Sequence, residues 1–272
     1  MESLSAQPAA VQVASQGKTG TQKTAVFWTL CRFFLSDFSR TGWVLLPIII
    51  LAGVHTLFFS QYRSDQTHFF GIEYSTMLLL AAITTAVLFA RANRAETYAI
   101  LAKPVSRVVL TGAILFASWL IVLLCHIVST AIEWLRFGPL FAPPGAPDVS
   151  WRTPLIYAEG TLAVMVAAAF SVALVALLSS FVSPPGVRLS MLVILAALVM
   201  SFDNRNFPIE SLRPIFQQFP PVLAPLAGAL KYATQSPPDS VAIISLAMLA
   251  GYTFLLIVAT LLTVAGRDLV LD

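Results

Sequence analysis

Residues 108–132 read VVLTGAILFASWLIVLLCHIVSTAI, twenty-five positions with one histidine and no Asp, Glu, Lys or Arg. The hydrocarbon core of a bilayer is about 30 Å thick and an α-helix rises about 1.5 Å per residue, so about 20 apolar residues span it. This run exceeds that length, and its composition is typical of the whole chain. Of 272 residues, 58% are hydrophobic and only 11% are charged, with a mean hydropathy of +0.84. Soluble domains carry about 25% charged residues, so this chain cannot cover a water-facing surface. The composition describes an all-α membrane protein. The net charge of +3 is too small and too dispersed for a nucleic-acid footprint, and single Lys and Arg residues read as interfacial anchors.

Working outward, six apolar runs come near spanning length: 43–59, 74–90, 108–132, 155–182, 189–202 and 241–266. Flanking interfacial residues such as Ser60 and Glu73 extend them to spans 43–60, 73–91, 108–133, 155–182, 187–203 and 240–266. The fifth is the shortest. With the N-terminus inside, ten cations fall on cytoplasmic segments: Lys18, Lys23, Arg32, Arg40, Arg91, Arg94, Lys103, Arg107, Arg188 and Arg267. Six fall outside: Arg63, Arg136, Arg152, Arg205, Arg213 and Lys231. The positive-inside rule therefore puts both termini in the cytoplasm.

Residues 1–24 are polar, have no apolar core that would make a signal peptide, and read as a disordered cytoplasmic tail preceding a membrane domain of 25–272. Next comes TAVFWTLCRFFLSDFSR, residues 24–40, in which helical spacing groups Phe27, Leu30, Phe34 and Phe38 on one face and Thr29, Arg32, Ser36 and Arg40 on another. This is an amphipathic helix suited to lie in the membrane interface. The loop FGPLFAPPGAPDVSWRTP is stiffened by its prolines. Between Asp203 and Ser240 lie two moderately apolar pieces, SLRPIFQQF and PPVLAPLAGALKYA, separated by Pro220, Pro221 and Pro225. Both are too short to span, so they read as short re-entrant helices between the fifth and sixth spans, shielded by protein. Cys31 and Cys125 are too few and too far apart for a disulfide framework or a zinc site.

The connection between the second and third spans, RANRAETYAILAKPVSR at 91–107, is different in kind. It packs four cations and a carboxylate into a loop with good helix formers, stopped by Pro104, with Ser106 placed to cap the next helix. Charged side chains cost about 2.5–3.5 kcal/mol each at the bilayer centre on the insertion scale, so these remain on the water side, available to a partner. The pattern Glu96, Thr97, Leu101, Pro104, Val105, Ser106, Arg107 leading into an apolar run resembles permease subunits of the type 2 ABC exporters. The amphipathic N-terminal helix, six spans, re-entrant helices and the ending Ala265-Gly266-Arg267-Asp268-Leu269 resemble that family too. Many members carry a glycine between the Glu and the Thr, which are adjacent here.

The resemblance implies a coupling helix that docks into a cytoplasmic ABC ATPase through Arg94, Glu96, Thr97, Leu101, Lys103, Pro104, Ser106 and Arg107. It implies an ATPase dimer and a second permease copy or homologous permease as partners, in a bacterial plasma membrane. ATP and Mg would belong to the ATPase, because this chain has no G-x-x-x-x-G-K-[ST], and it also lacks H-E-x-x-H and G-x-S-x-G. It is therefore not expected to be an enzyme or to carry a cofactor itself. An apolar path suits a hydrophobic or amphipathic substrate. Within the spans, His126 and Glu159 are candidates for a polar path. The plainer reading is a histidine bonded across a helix contact, with Glu133 and Glu159 at headgroup level. Two other functions stay open: an ion-coupled secondary transporter, and a non-transporting anchor that holds a periplasmic or extracellular partner with the stiff loop.

Overall fold

A computed structural model describes residues 9–59, 66–92, 106–137, 153–181, 220–235 and 237–268. Among them every regular element is helical: α1 (Ala9–Arg40), α2 (Leu45–Val54) running into a π-helix (His55–Phe59), α3 (Gln66–Ala92), α4 (Arg107–Phe137), α5 (Pro154–Phe181), α6 (Pro220–Thr234) and α7 (Ser240–Asp268). The protein is a multi-pass membrane protein. Four helices are long and apolar enough to cross a bilayer, over Gln66–Ala92, Arg107–Leu135, Pro154–Ser180 and Ser240–Gly266. The number becomes five if Thr24–Arg40 and Leu45–Phe59, bent by 67°, form one broken span. Six spans were expected. The expected span at 43–60 corresponds to α2 and its π-helix, which are short alone, and that at 187–203 lies outside the described residues.

The bend is written into the sequence at Gly42, whose φ of +76° lies in the left-handed region. A residue with a Cβ pays about 1–2 kcal/mol there. The α1 helix begins at Ala9, inside the stretch read as a tail. Its stripe of Leu30, Cys31, Phe34 and Phe38 is buried, and α1 packs along α4. Phe27 and Trp28 meet Phe116 at ring-centroid distances of 5.9 and 5.4 Å. The apolar face expected to rest on lipid is thus covered by protein. At the far end of α1, Asp37 takes a two-pronged ion pair from Arg91, the last cation of α3, with Nη2–Oδ1 at 2.8 Å.

Helix α3 is the centre of the bundle. Two-thirds of its apolar window is buried (67%), against 22% for α7, whose exposed flank faces out of the bundle. Helix α5 packs on α3 through small residues, with Ala163, Ala167, Ala168 and Ala176 buried. Such residues let backbones close up where no hydrophobic gain distinguishes protein from lipid. Gly160 makes the closest approach: a Cβ there would lie 2.1 Å from the ring of Phe70. Polar cross-links complete the packing, with Ser171 Oγ donating to Leu78 O (3.0 Å), Trp119 Nε1 to Met165 O (3.3 Å) and Tyr74 OH to Leu226 O (2.9 Å).

Helix α6 was expected as a short piece, and its 15 residues measure about 22 Å. Pro220 and Pro221 open it, where missing N–H groups cost nothing, and Pro225 is tolerated inside. Gly228 lets it approach α7, since a Cβ would meet the side chain of Ser245 at 2.1 Å. Asp239 caps α7 by accepting from Ala242 N–H (2.8 Å) and pairs with Lys231 of α6. The partner piece SLRPIFQQF lies outside the described residues.

Candidate functional site

The ends at which α3 and α5 begin and α4 finishes come together, and the polar site lies below them. Glu73 is seven residues in from Gln66, Thr161 seven in from Pro154, and His126 eleven back from Phe137. These offsets put the three side chains about 10–16 Å from the helix ends, within the apolar windows. Glu73 is 0% and His126 1% exposed.

The two form one hydrogen-bonded chain. His126 Nδ1 lies 2.9 Å from Glu73 Oε1, and His126 Nε2 lies 3.0 Å from Thr161 Oγ1. Ser129 Oγ donates to Glu73 Oε2 at 2.9 Å, and His55 Nε2 lies 3.0 Å from Ser129 Oγ. With Glu73 as a carboxylate, which only accepts, the proton between the two sits on His126 Nδ1. Ser129 spends its single proton on the same carboxylate, so His55 Nε2 must donate to Ser129. One chain of bonds therefore links α2's π-helix, α4, α3 and α5. Glu133 is fully buried a turn beyond Ser129.

An aromatic layer closes the site towards the helix ends. Phe59 meets the ring of His55 at 5.1 Å and that of Phe69 at 5.5 Å. Phe69 and Phe70 each lie 6.0 Å from Tyr157, which meets Trp134 at 5.4 Å. On the side between α4 and α5 the site opens instead into a cleft of about 580 Å³. Its walls are Ile127, Trp134 and Leu135 of α4 and Pro154 and Tyr157 of α5, and its polar end is His126 with Thr161.

Of the two residues singled out from the sequence for a polar path, His126 and Glu159, this site contains His126. Its ring is engaged by Glu73 and Thr161, while Glu159 lies partly buried on α5. Glu73 and Glu133, expected near headgroups, are both enclosed by protein. Ser106 sits exposed just before the first residue of α4, in the position expected for a cap, and Arg107 is exposed beside it. Arg94, Glu96, Thr97, Leu101, Lys103 and Pro104 lie outside the described residues. The sequence did hold a signal for the network: His126, Ser129 and Glu133 follow one another at three- and four-residue spacing, a polar stripe on an otherwise apolar helix. No group of three or more His, Cys, Asp and Glu side chains suited to a metal occurs among the described residues. Comparison with known proteins returns no match from family models, curated proteins or solved structures.

Proposed function

We propose that this chain is the transmembrane subunit of an ATP-driven exporter of the type 2 ABC kind, moving a hydrophobic or amphipathic substrate with a separate ATPase dimer. The observation that carries the reading is the segment 91–107, with Glu96, Thr97 and Pro104-Val105-Ser106-Arg107, bridging α3 to α4. Those are the two helices that supply Glu73 and His126. A push on the bridge would act on both directly, and the Asp37–Arg91 clasp would pass it to α1. In this scheme the N- and C-termini and the bridge face the cytoplasm of a bacterial cell, and 187–203 is a further span. Helix α6 packs at the outer mouth as half of a re-entrant pair. A second permease copy covers the exposed flank of α7.

The test is purification of the membrane complex from its native host, followed by ATP hydrolysis in lipid. A nucleotide-binding subunit should copurify. Glu96→Ala and Arg107→Ala should each weaken its retention or uncouple hydrolysis from transport. Arg91→Gln should leave the subunit bound but lower transport per ATP. Absence of any nucleotide-binding subunit from the intact complex refutes the proposal.

The buried His126–Glu73–Ser129–His55 chain favours a second reading, an ion-coupled transporter, because ionisable groups inside membrane helices recur in proton pathways. Transport that survives ATP depletion and stops when the proton gradient collapses selects that reading over the first.

A further inference from the structure

We infer that the cleft between α4 and α5 is a binding site for a neutral, hydroxyl-bearing, single-chain lipid of monoacylglycerol or long-chain alcohol chemistry, entering sideways from the bilayer. Its volume of about 580 Å³ is that of a small-molecule site, about 300–1,000 Å³. Its mouth is framed by Ile127 and Leu135, which are 50% and 61% exposed and lie within the apolar window Arg107–Leu135. The cleft therefore opens onto acyl chains rather than onto water.

The inner end selects the head group. Thr161 Oγ1 is bonded to His126 Nε2. A hydroxyl has one proton and two lone pairs, so capacity remains for a ligand. Thr130, one turn along α4 from His126, belongs to the lining, and its hydroxyl oxygen is enclosed and has no hydrogen-bond partner among the described residues. None of the described lining residues is Lys, Arg, Asp or Glu. An anionic phosphate or carboxylate head would enter without a counter-charge, which an apolar site penalises heavily. A cationic head would find Glu73 enclosed behind His126 and already accepting two bonds. With its proton given to His126 Nε2, Thr161 can accept from a ligand, and a neutral head that donates a hydrogen bond is what it fits. The site requires no motor protein, so binding is measured on this chain alone and fails or succeeds separately from the exporter reading.

The experiment uses the full chain in detergent with a monoacylglycerol that carries a diazirine in its acyl chain, mapped by mass spectrometry after illumination. Label should concentrate on 127–135 and 154–161. Unlabelled 1-monooleoylglycerol should displace it at least about tenfold better than ionised oleate or a lysophosphatidylglycerol. Ala131→Trp, at an exposed wall position, should cut labelling at least about fivefold by filling the cleft. Thr161→Val should shrink the advantage of monooleoylglycerol over methyl oleate by about fivefold, the value of one neutral hydrogen bond. Label spread evenly over the exposed faces of α4 and α7, indifference to Ala131→Trp, or equal competition by ionised lipids overturns the assignment. So does a Leu135→Cys variant that forms disulfides between two copies and thereby blocks labelling, which would give the mouth to a subunit interface.

Discussion

Alanine at Glu73 tests whether the buried chain of bonds acts as a unit. Removing the carboxylate strips an acceptor from His126 Nδ1 and another from Ser129 Oγ, both at 2.9 Å and both enclosed. A buried polar group left without its partner costs about 1–3 kcal/mol, so Glu73→Ala should destabilise the bundle by about 2–6 kcal/mol. His126→Ala should cost a similar amount, because it abandons Glu73 on one side and Thr161 on the other. The informative quantity is the coupling between them. Helix-to-helix hydrogen bonds in membranes average about 0.6 kcal/mol in double-mutant cycles and reach about 1.7 kcal/mol. A charge-assisted bond is worth about 1.5–3 kcal/mol, and this one is enclosed at both ends. The cycle of wild type, Glu73→Ala, His126→Ala and the double variant should therefore return about 2 kcal/mol of coupling. It can be read from reversible unfolding in mixed micelles with increasing SDS, followed by the fluorescence of the chain's five tryptophans. Additivity of the two single changes within about 0.5 kcal/mol would show that the residues act independently and would refute the reasoning.

Two further outcomes follow from the packing. Gly160→Ala gains about 1 kcal/mol of helix propensity but drives a methyl to 2.1 Å from the enclosed Phe70 ring. Overpacking of about 1–3 kcal/mol should win, lowering the thermal midpoint in detergent, and Phe70→Leu added to Gly160→Ala should restore part of it; a raised midpoint for Gly160→Ala alone contradicts the geometry. At the start of α7, the hydrogen bond from Lys231 and then the Ala242 N–H hold the Asp239 carboxyl below the usual carboxylate range. A depressed folded value means that the cap is fully present above the ordinary carboxylate range and is lost as pH falls through Asp239's own lower midpoint. Amide exchange over 240–243 should therefore rise only in strong acid, Lys231→Met should move that onset to higher pH, and an unmoved onset refutes the assignment.

Four of the expected spans were legible because hydropathy sums over every face of a helix, and over 108–132 the apolar residues far outnumber the polar stripe of His126 and Ser129. The same summation hides partners. Glu73 stood at the edge of an apolar run and read as a headgroup residue, since nothing local reveals an imidazole 53 positions away that folds against it. Gly42 stands between the amphipathic segment 24–40 and the apolar run 43–59, and the structure turns the chain there. The stripe Phe27, Leu30, Phe34, Phe38 was correctly grouped by its period. Periodicity states that a face is apolar, and only the tertiary packing states that α4 covers it. The cleft was not foreseeable, because a void depends on how Trp134 and Tyr157 stack across two helices.

The π-helix at His55–Phe59 carries one consequence for how this chain could change over time. A π turn is an α-helix that has accommodated an additional residue, its bonds reaching one position further. Deleting a single residue at Leu57 would let the ladder return to the ordinary pitch, because three residues of α-helix carry the chain almost as far round the axis as four residues of a π turn. The imidazole that now reaches Ser129 and the phenyl ring that seals above it would become neighbours three apart on one helical face. The segment is therefore a length-tolerant joint: a one-codon loss inside it is taken up by the return to α pitch, whereas the same loss within Leu45–Val54 would turn the two flanks by about 100° against each other and carry His55 away from Ser129.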